Sequence, residues 1–348
     1  MKDERIKASA MRALGGITAA LLGVVLGVIL GIALTGRHGA NSGDAEAATG
    51  NSFPKKLANL SATHPIHGKR FEASGAVAVP NANGILFIDD SEPDRVFYMP
   101  VNESGKQDGP VKAIPLGVSV TDPEGITQFG SHFMIAGSLA TEKSNHQGAL
   151  AAFDFDPATQ AVSNAVVITG LRKFLFDNVP ELRKWADKTS AEGGLNIEGI
   201  AADPDPQHPR LLLGLRGPLA GGLALVVPIK FRNPQAPLSI DNLAIDEPSA
   251  IHLNLHGQGI RDIEYDSRLR SFLIISGAPE NEKKTHFALW LWSGENNQHL
   301  EQAKPHKQAK LDSKMVPEGV TRLKIADHDF VFLVGDRSSY AKIEYVSQ

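Results

Sequence analysis

Five short segments of this 348-residue chain each place a chemically able side chain at the same point of a recurring pattern. They read EASGAVAV from Glu72, DPEGITQF from Asp122, LNIEGIAAD from Leu195, GIRDIEYD from Gly259 and VPEGVTRL from Val316. Aligned on the residue before the Gly, the positions are Ser74, Glu124, Glu198, Arg261 and Glu318, and the fourth copy has Asp262 where the others have Gly. Glutamates gathered at one place repel unless protonation, arginine partners or a bound cation neutralises them. Calcium, a hard cation, suits carboxylate oxygens, which makes Glu124, Glu198 and Glu318 a candidate metal set. Ser74, Glu72, Arg216, Arg261, Asp262, Asp336 and Arg337 are candidate ligand-binding residues. Together they offer one chemistry: carboxylates hold a cation, the cation activates water, and guanidiniums stabilise a transferring anionic group. The competing reading is that each Glu accepts backbone hydrogen bonds from the next sheet and braces the fold, since structural ion-pair networks also perturb acids.

The elements needed to bring such residues together follow from their spacing. The intervals are 50, 74, 63 and 57 residues, a mean of 61. Each copy reads as a short alternating strand, a turn and a strongly apolar strand, with further runs set off by Gly, Pro, Asn and Asp. A repeat of several short strands at this period predicts an all-β propeller of about five four-stranded blades, with six possible. The first strand of each blade lines the axis, so the five motif residues converge at one end of the channel. The second strand runs back, bringing Asp89, Asp90, Ser138, Arg216, Asp336 and Arg337 to the same opening, and Glu72 shares a strand side with Ser74. The last unit has three runs, and residues just before Ser74 are expected to supply the fourth and close the ring. The long second interval is assigned to an insertion with a helix over 178–189, capped by Asn178, with Val179, Leu182 and Trp185 on one face. Residues 154–159 read as a hairpin turn. The Gly-rich loop 217–222 reads as a turn or an anion cradle. His252, Asn254 and His256 share one strand face, with the two His too far apart for one metal. GxGxxG after a strand, Walker A, HExxH and GxSxG are absent, against nucleotide-binding, zincin and α/β-hydrolase readings.

Cysteine is absent, which excludes disulfides, thiolate metal sites and a cysteine nucleophile. Up to Arg37 the net charge is +3 and beyond it −7, so the body has no electrostatic case for binding nucleic acid. Residues 13–36 carry no charge over 24 positions, enough to cross a hydrocarbon core of about 30 Å as one transmembrane helix. Lys2, Arg5, Lys7 and Arg12 precede it, placing residues 1–12 in the cytoplasm and the body outside the inner membrane. An uncleaved signal-anchor is favoured over cleavage at Ala45-Glu46-Ala47, which lies too far past the apolar run. Ala19, Gly23, Gly27 and Gly31 line one helix face and permit self-association. Residues 37–56 read as a flexible tether and 57–348 as the propeller.

The runs LNIEGIAAD, LLLGLRGPLAGG, GQGIRDIEYD, LIISGAP, LWLW and PEGV resemble a bacterial domain-of-unknown-function family, number three-six-one-six, over about residues 68–340. The resemblance implies a propeller-like fold, with a distant likeness to the esterase-like phytase domain, and places Glu198, Arg216, Arg261, Asp262 and Glu318 in the family pattern without assigning them roles. The expected function is ligand or partner binding at the channel face. The alternative is a metal-dependent hydrolase of an anionic ester, such as a phosphoester.

Overall fold

A computed structural model describes residues 57–140, 148–280, 286–295, 300–303 and 315–345; the expected anchor at 13–36, with Ala19, Gly23, Gly27 and Gly31, lies outside these. Within them, no helix is long and apolar enough to cross a membrane. Five antiparallel sheets are arranged as blades. Blade one is Ala73–Ala78, Gly84–Asp89, Arg95–Pro100 and Lys112–Pro115. Blade two is Pro123–Phe129, His132–Gly137, Leu150–Asp156 and Ala161–Ile168. Blade three is Asn196–Ala202, Arg210–Gly217 and Ala224–Phe231, its outer edge shared by Leu243–Ile245 and Ile251–Leu253. Blade four is Gly259–Asp266, Ser271–Gly277, Ala288–Trp292 and Glu301–Ala303. Blade five is Pro317–Ile325, His328–Gly335 and Ser339–Tyr345.

The fourth strand of blade five comes from the other end of the domain. Leu57–Leu60 and His64–Pro65 pair with Ser339–Tyr345. The closure is therefore of the expected kind, but its strand lies farther from Ser74 than expected. The outermost strand sits three strand spacings, about 14 Å, from the innermost one, and the chain needs residues to travel inward. Residues 66–72 make that journey across the end of blade five, where Ile66 N–H donates to Ser338 O at 2.6 Å and Ser338 N–H to Phe71 O at 3.0 Å.

Both faces of each blade are apolar, and five hydrophobic clusters fill the five spaces between neighbouring blades. At the axis the inner strands crowd. A Cβ on Gly75 would lie 2.8 Å from Ile126 N, one on Gly125 2.9 Å from Ile200 N, and one on Gly319 2.9 Å from Ala76 N. The repeated Gly is thus demanded by backbone contact around the ring. Gly125→Ala is expected to destabilise the domain by about 1–3 kcal/mol in urea unfolding, because the strands must part. An unchanged midpoint would show that they part freely.

The insertion differs from the expected single helix over 178–189. An α-helix spans Leu171–Asn178, and a 3₁₀ segment spans Pro180–Trp185. Asn178 therefore ends a helix and does not cap the start of one. Pro180 pushes the residue before it out of the helical region, and Val179 is extended at φ −111°. Val179, Leu182 and Trp185 are buried together as expected. The 154–159 turn forms too, with Asp156 Oδ1 accepting from Ala158 N–H at 2.8 Å.

Candidate functional site

Each inner strand carries a register shift at the motif. Opposite partners run Pro123–Gly137 then Gly125–Ala136, Ile197–Leu215 then Gly199–Gly214, Ile260–Ser276 then Asp262–Ile275, and Pro317–Gly335 then Gly319–Val334. Glu124, Glu198, Arg261 and Glu318 are thus the extra residues of β-bulges, and in blade one the extra residue is Gly75. A bulge re-aims the side chain it carries and can put two consecutive residues on one side of a strand. Here it turns four charged side chains toward one mouth of the channel.

Three of these join Arg216 in a continuous chain of opposite charges. Arg216 Nη1 donates to Glu198 Oε1 at 2.8 Å. Glu198 Oε2 lies 3.0 Å from Arg261 Nε, and Arg261 Nη2 bonds Glu318 Oε1. Glu198 is 2% exposed, Glu318 8% and Arg261 9%. Burial lowers Arg261 below an arginine's ordinary value, against the pull of Glu198. Asn196 donates through Nδ2 to Glu198 Oε1 at 3.1 Å and to Glu280 Oε2 at 3.4 Å. With its amide nitrogen facing two carboxylates, its Oδ1 is left buried and without a donor.

Glu124 is held differently. Burial, then repulsion from Glu198 and Asp122, raises its carboxyl well above the usual range. Asp90 is pushed up to about 6 by burial, with Glu72, Asp89 and Asp122 adding repulsion and a Glu72 carboxyl sharing a hydrogen bond. Of the three ways to relieve crowded acids, arginine partners serve Glu198 and Glu318, while burial and neighbouring acids push Glu124 toward its protonated form. No set of three His, Asp or Glu among the described residues is gathered as metal ligands. The mouth therefore has two halves, with Glu72, Asp90, Asp122 and Glu124 on blades one and two and the paired arginines on blades three and four.

The remaining expected residues lie apart from that chain. Ser74 is buried in the first copy of the ring. Asp336 and Arg337 form a rim turn, where Arg337 is exposed at φ +63° and its N–H meets Asp336 Oδ1. Asp89 binds its own turn through Ser91 N–H at 3.1 Å, and Ser138 donates to Asp122. Asp262 does not face the mouth. Its carboxylate crosses the waist of the channel, accepting from Ile263 N–H at 2.8 Å and Val320 N–H at 2.7 Å, with Ala76 N–H also in reach. It bridges blade four to blades five and one at the level where the other copies keep Gly. His252 meets Glu181 of the insertion at 3.0 Å, while Asn254 and His256 are exposed. The 217–222 loop is a turn, with Ala220 and Leu223 paired across it.

Asn196 and Asp122 were not expected at the mouth. Both lie two residues before a motif Glu, the offset that singled out Glu72, so the same parity applied to every copy finds them. Glu264, half-buried deeper in the channel, was also missed.

The model of the family described as "Protein of unknown function (DUF3616)" matches residues 158–332. No curated protein matches the chain in sequence. Similar solved structures include the holo form of the pyranose dehydrogenase PQQ domain from Coprinopsis cinerea, at 10% identity and TM-score 0.46, covering 84% of this chain and 98% of that one. The aldose sugar dehydrogenase of Escherichia coli in the apo form is 12% identical with TM-score 0.42, covering 82% and 99%. A gluconolactonase from Xanthomonas campestris is 8% identical with TM-score 0.39, covering 84% and 95%. Likeness at this level says nothing about the chemistry of this chain.

Proposed function

From the premise that this chain belongs to the family described as "Protein of unknown function (DUF3616)", we propose that its propeller binds a small polar ligand at the motif mouth. The observation that carries this is the buried chain Arg216–Glu198–Arg261–Glu318 with the unmet acceptor of Asn196 beside it. Burying three of these four charges is costly and adds little stability over apolar side chains. A ligand bearing hydroxyl or amine donors satisfies Asn196 Oδ1 and, on blade one, Asp90 Oδ1. The test is thermal stabilisation of the full chain in detergent by a panel of polyols and amines. A ligand that stabilises the wild type, by about 2.7 kcal/mol at a hundredfold excess over its dissociation constant, loses that effect in Asn196→Leu. Equal responses of the two proteins overturn the reading.

A hydrolase of an anionic ester is the second reading, and Glu124 favours it. A carboxyl raised by burial and by neighbouring acids is suited to act as a general acid, with Asp90, pushed up to about 6, as its base partner. Calcium at Glu124, Glu198 and Glu318 would have to displace Arg261 from two of its three ligands.

The proposal includes the tether: residues 13–36 as a single-pass anchor in the inner membrane, self-associating through Ala19, Gly23, Gly27 and Gly31, with the propeller outside the cytoplasm. Its support is the charge-free run and the basic residues before it. A reporter fused after Gln348 is expected to be active only when it requires the extracytoplasmic space. Cytoplasmic activity would reverse the orientation.

A further inference from the structure

A cavity of about 300 Å³ opens between blades two and three. Its apolar walls include Phe129 and Val166 of blade two and Phe231 and Leu238 from the blade three side, and its polar residues are His132, Asn164 and Gln235. The Phe129 and Phe231 rings meet there at 4.9 Å between centroids, and Val166 is the one large apolar side chain exposed among the described residues. Cross-strand pairing sets the polar edge. Phe133 stands opposite Phe153 and Met134 opposite Ala152, so the next pair out is His132 with Asp154. Met134 and Ala152 pack in one cluster with side chains of blade three, and His132 and Asp154, each two residues away, share that face. His132 Nδ1 lies 2.5 Å from Asp154 Oδ1. In the outer strand a bulge sets Asn164 and Ala165 together against Phe153. Asn164, at φ +52°, turns back there to donate through Nδ2 to Asp154 Oδ2 at 2.7 Å.

One acid thereby fixes both of its neighbours. An ionised carboxylate only accepts, so His132 gives it Nδ1–H and Asn164 gives it an amide N–H. In the neutral ring that leaves His132 Nε2 as an acceptor, and Asn164 Oδ1 is a second one. Neither atom has a partner among the described residues. We propose that this cavity binds an aromatic alcohol of one or two rings, its rings between the apolar walls and its hydroxyl donating to His132 Nε2. Acceptors at the edge of an apolar space match a ligand with an apolar body and a donor at its rim, and they reject a carboxylate, which brings only acceptors. The volume is at the small end of ligand pockets, and the paired phenylalanines offer ring contacts to a flat body. The site does not depend on the reading of the motif mouth, because Phe129 and His132 flank the turn at the opposite end of the strand from Glu124.

The probe is β-naphthol, added to the full chain in detergent slightly above neutral pH and followed by equilibrium dialysis, with protein-free detergent as the blank. Its methyl ether has nearly the same shape and no donor, and β-naphthoate is the acceptor-only arm. β-Naphthol binds, and the ether and the naphthoate each bind about fivefold more weakly or worse, the worth of one hydrogen bond. His132→Phe keeps a ring and removes Nε2, and there the preference for the alcohol over the ether at least halves. Val166→Asp puts a charge on the apolar wall and abolishes binding of both naphthalenes. Both positions tolerate the change, the His132 side chain being 55% exposed and Val166 41%. Failure of β-naphthol to bind, equal affinity for its ether, tighter binding of the naphthoate, a preference unchanged in His132→Phe or binding indifferent to Val166→Asp would each overturn the assignment.

Discussion

Glu198→Gln is expected to destabilise the propeller by about 3–5 kcal/mol, the cost of breaking a buried ion pair and stranding its partner. The side chain is 2% exposed, and both of its oxygens face guanidiniums, Arg216 at 2.8 Å and Arg261 at 3.0 Å. Gln keeps the volume and one acceptor but leaves Arg216 with the Ala278 carbonyl and Arg261 with Glu318 in place of the shared carboxylate. A second effect accompanies the first. Repulsion from Glu198 stands behind only burial in raising Glu124, so its removal moves Glu124 back toward ionisation and toward supplying part of the missing charge. Glu198→Gln combined with Glu124→Gln should therefore lose more than the two single losses together. Unfolding in urea at neutral pH reads both quantities. A loss below about 1 kcal/mol for the single variant would mean the arginines need no buried counter-charge.

Glu264→Gln should change how stability depends on pH. The unfolded carboxyl titrates near its ordinary 4.5 and the folded one at about 8, so the folded state holds the proton over that window. Its stabilising contribution is fully present below pH 4.5 and is lost as pH rises to about 8. Gln cannot lose a proton. The variant should match the wild type to within about 1 kcal/mol in acid, then gain on it by up to about 1.4 kcal/mol per pH unit, and run parallel above pH 8. Urea unfolding of both proteins between pH 4 and 9 measures the difference directly. Parallel curves throughout would place Glu264 in water.

The propeller was legible because its strongest signal is a repeat. Gly75, Gly125, Gly199 and Gly319 occupy equivalent points in four copies, and the backbone contacts that require them recur with the same geometry. The placement of Glu198, Arg216, Arg261 and Glu318 at one end of the channel followed from strand direction. What the sequence hid was the bulge. Strict alternation puts Arg261 and Asp262 on opposite sides of their strand, whereas the bulge lets Arg261 join the mouth and Asp262 cross the axis. Behind the bulge the parity is reversed, which is why Glu264, three positions past the motif, faces the channel and was overlooked. The neutralisation of the glutamates was equally hidden, since composition cannot tell an arginine partner from a cation or a proton. The insertion was visible as extra length, but its boundaries depended on reading Pro180 as a break within it, and the closing strand depended on a travel distance to the axis that no local pattern encodes.

If the ion chain at the motif mouth serves a ligand and not the fold, the propeller stays stable when the whole ion chain is replaced. The measurement is the unfolding free energy of the variant carrying Arg216→Met, Glu198→Leu, Arg261→Met and Glu318→Leu together. Apolar side chains of similar volume often replace a buried ion network at no cost, so stability should equal or exceed that of the wild type to within about 1 kcal/mol. The stabilisation by any ligand of the mouth should vanish in the same protein. A loss as large as that of Glu198→Gln alone would contradict the account and make the ring a structural brace.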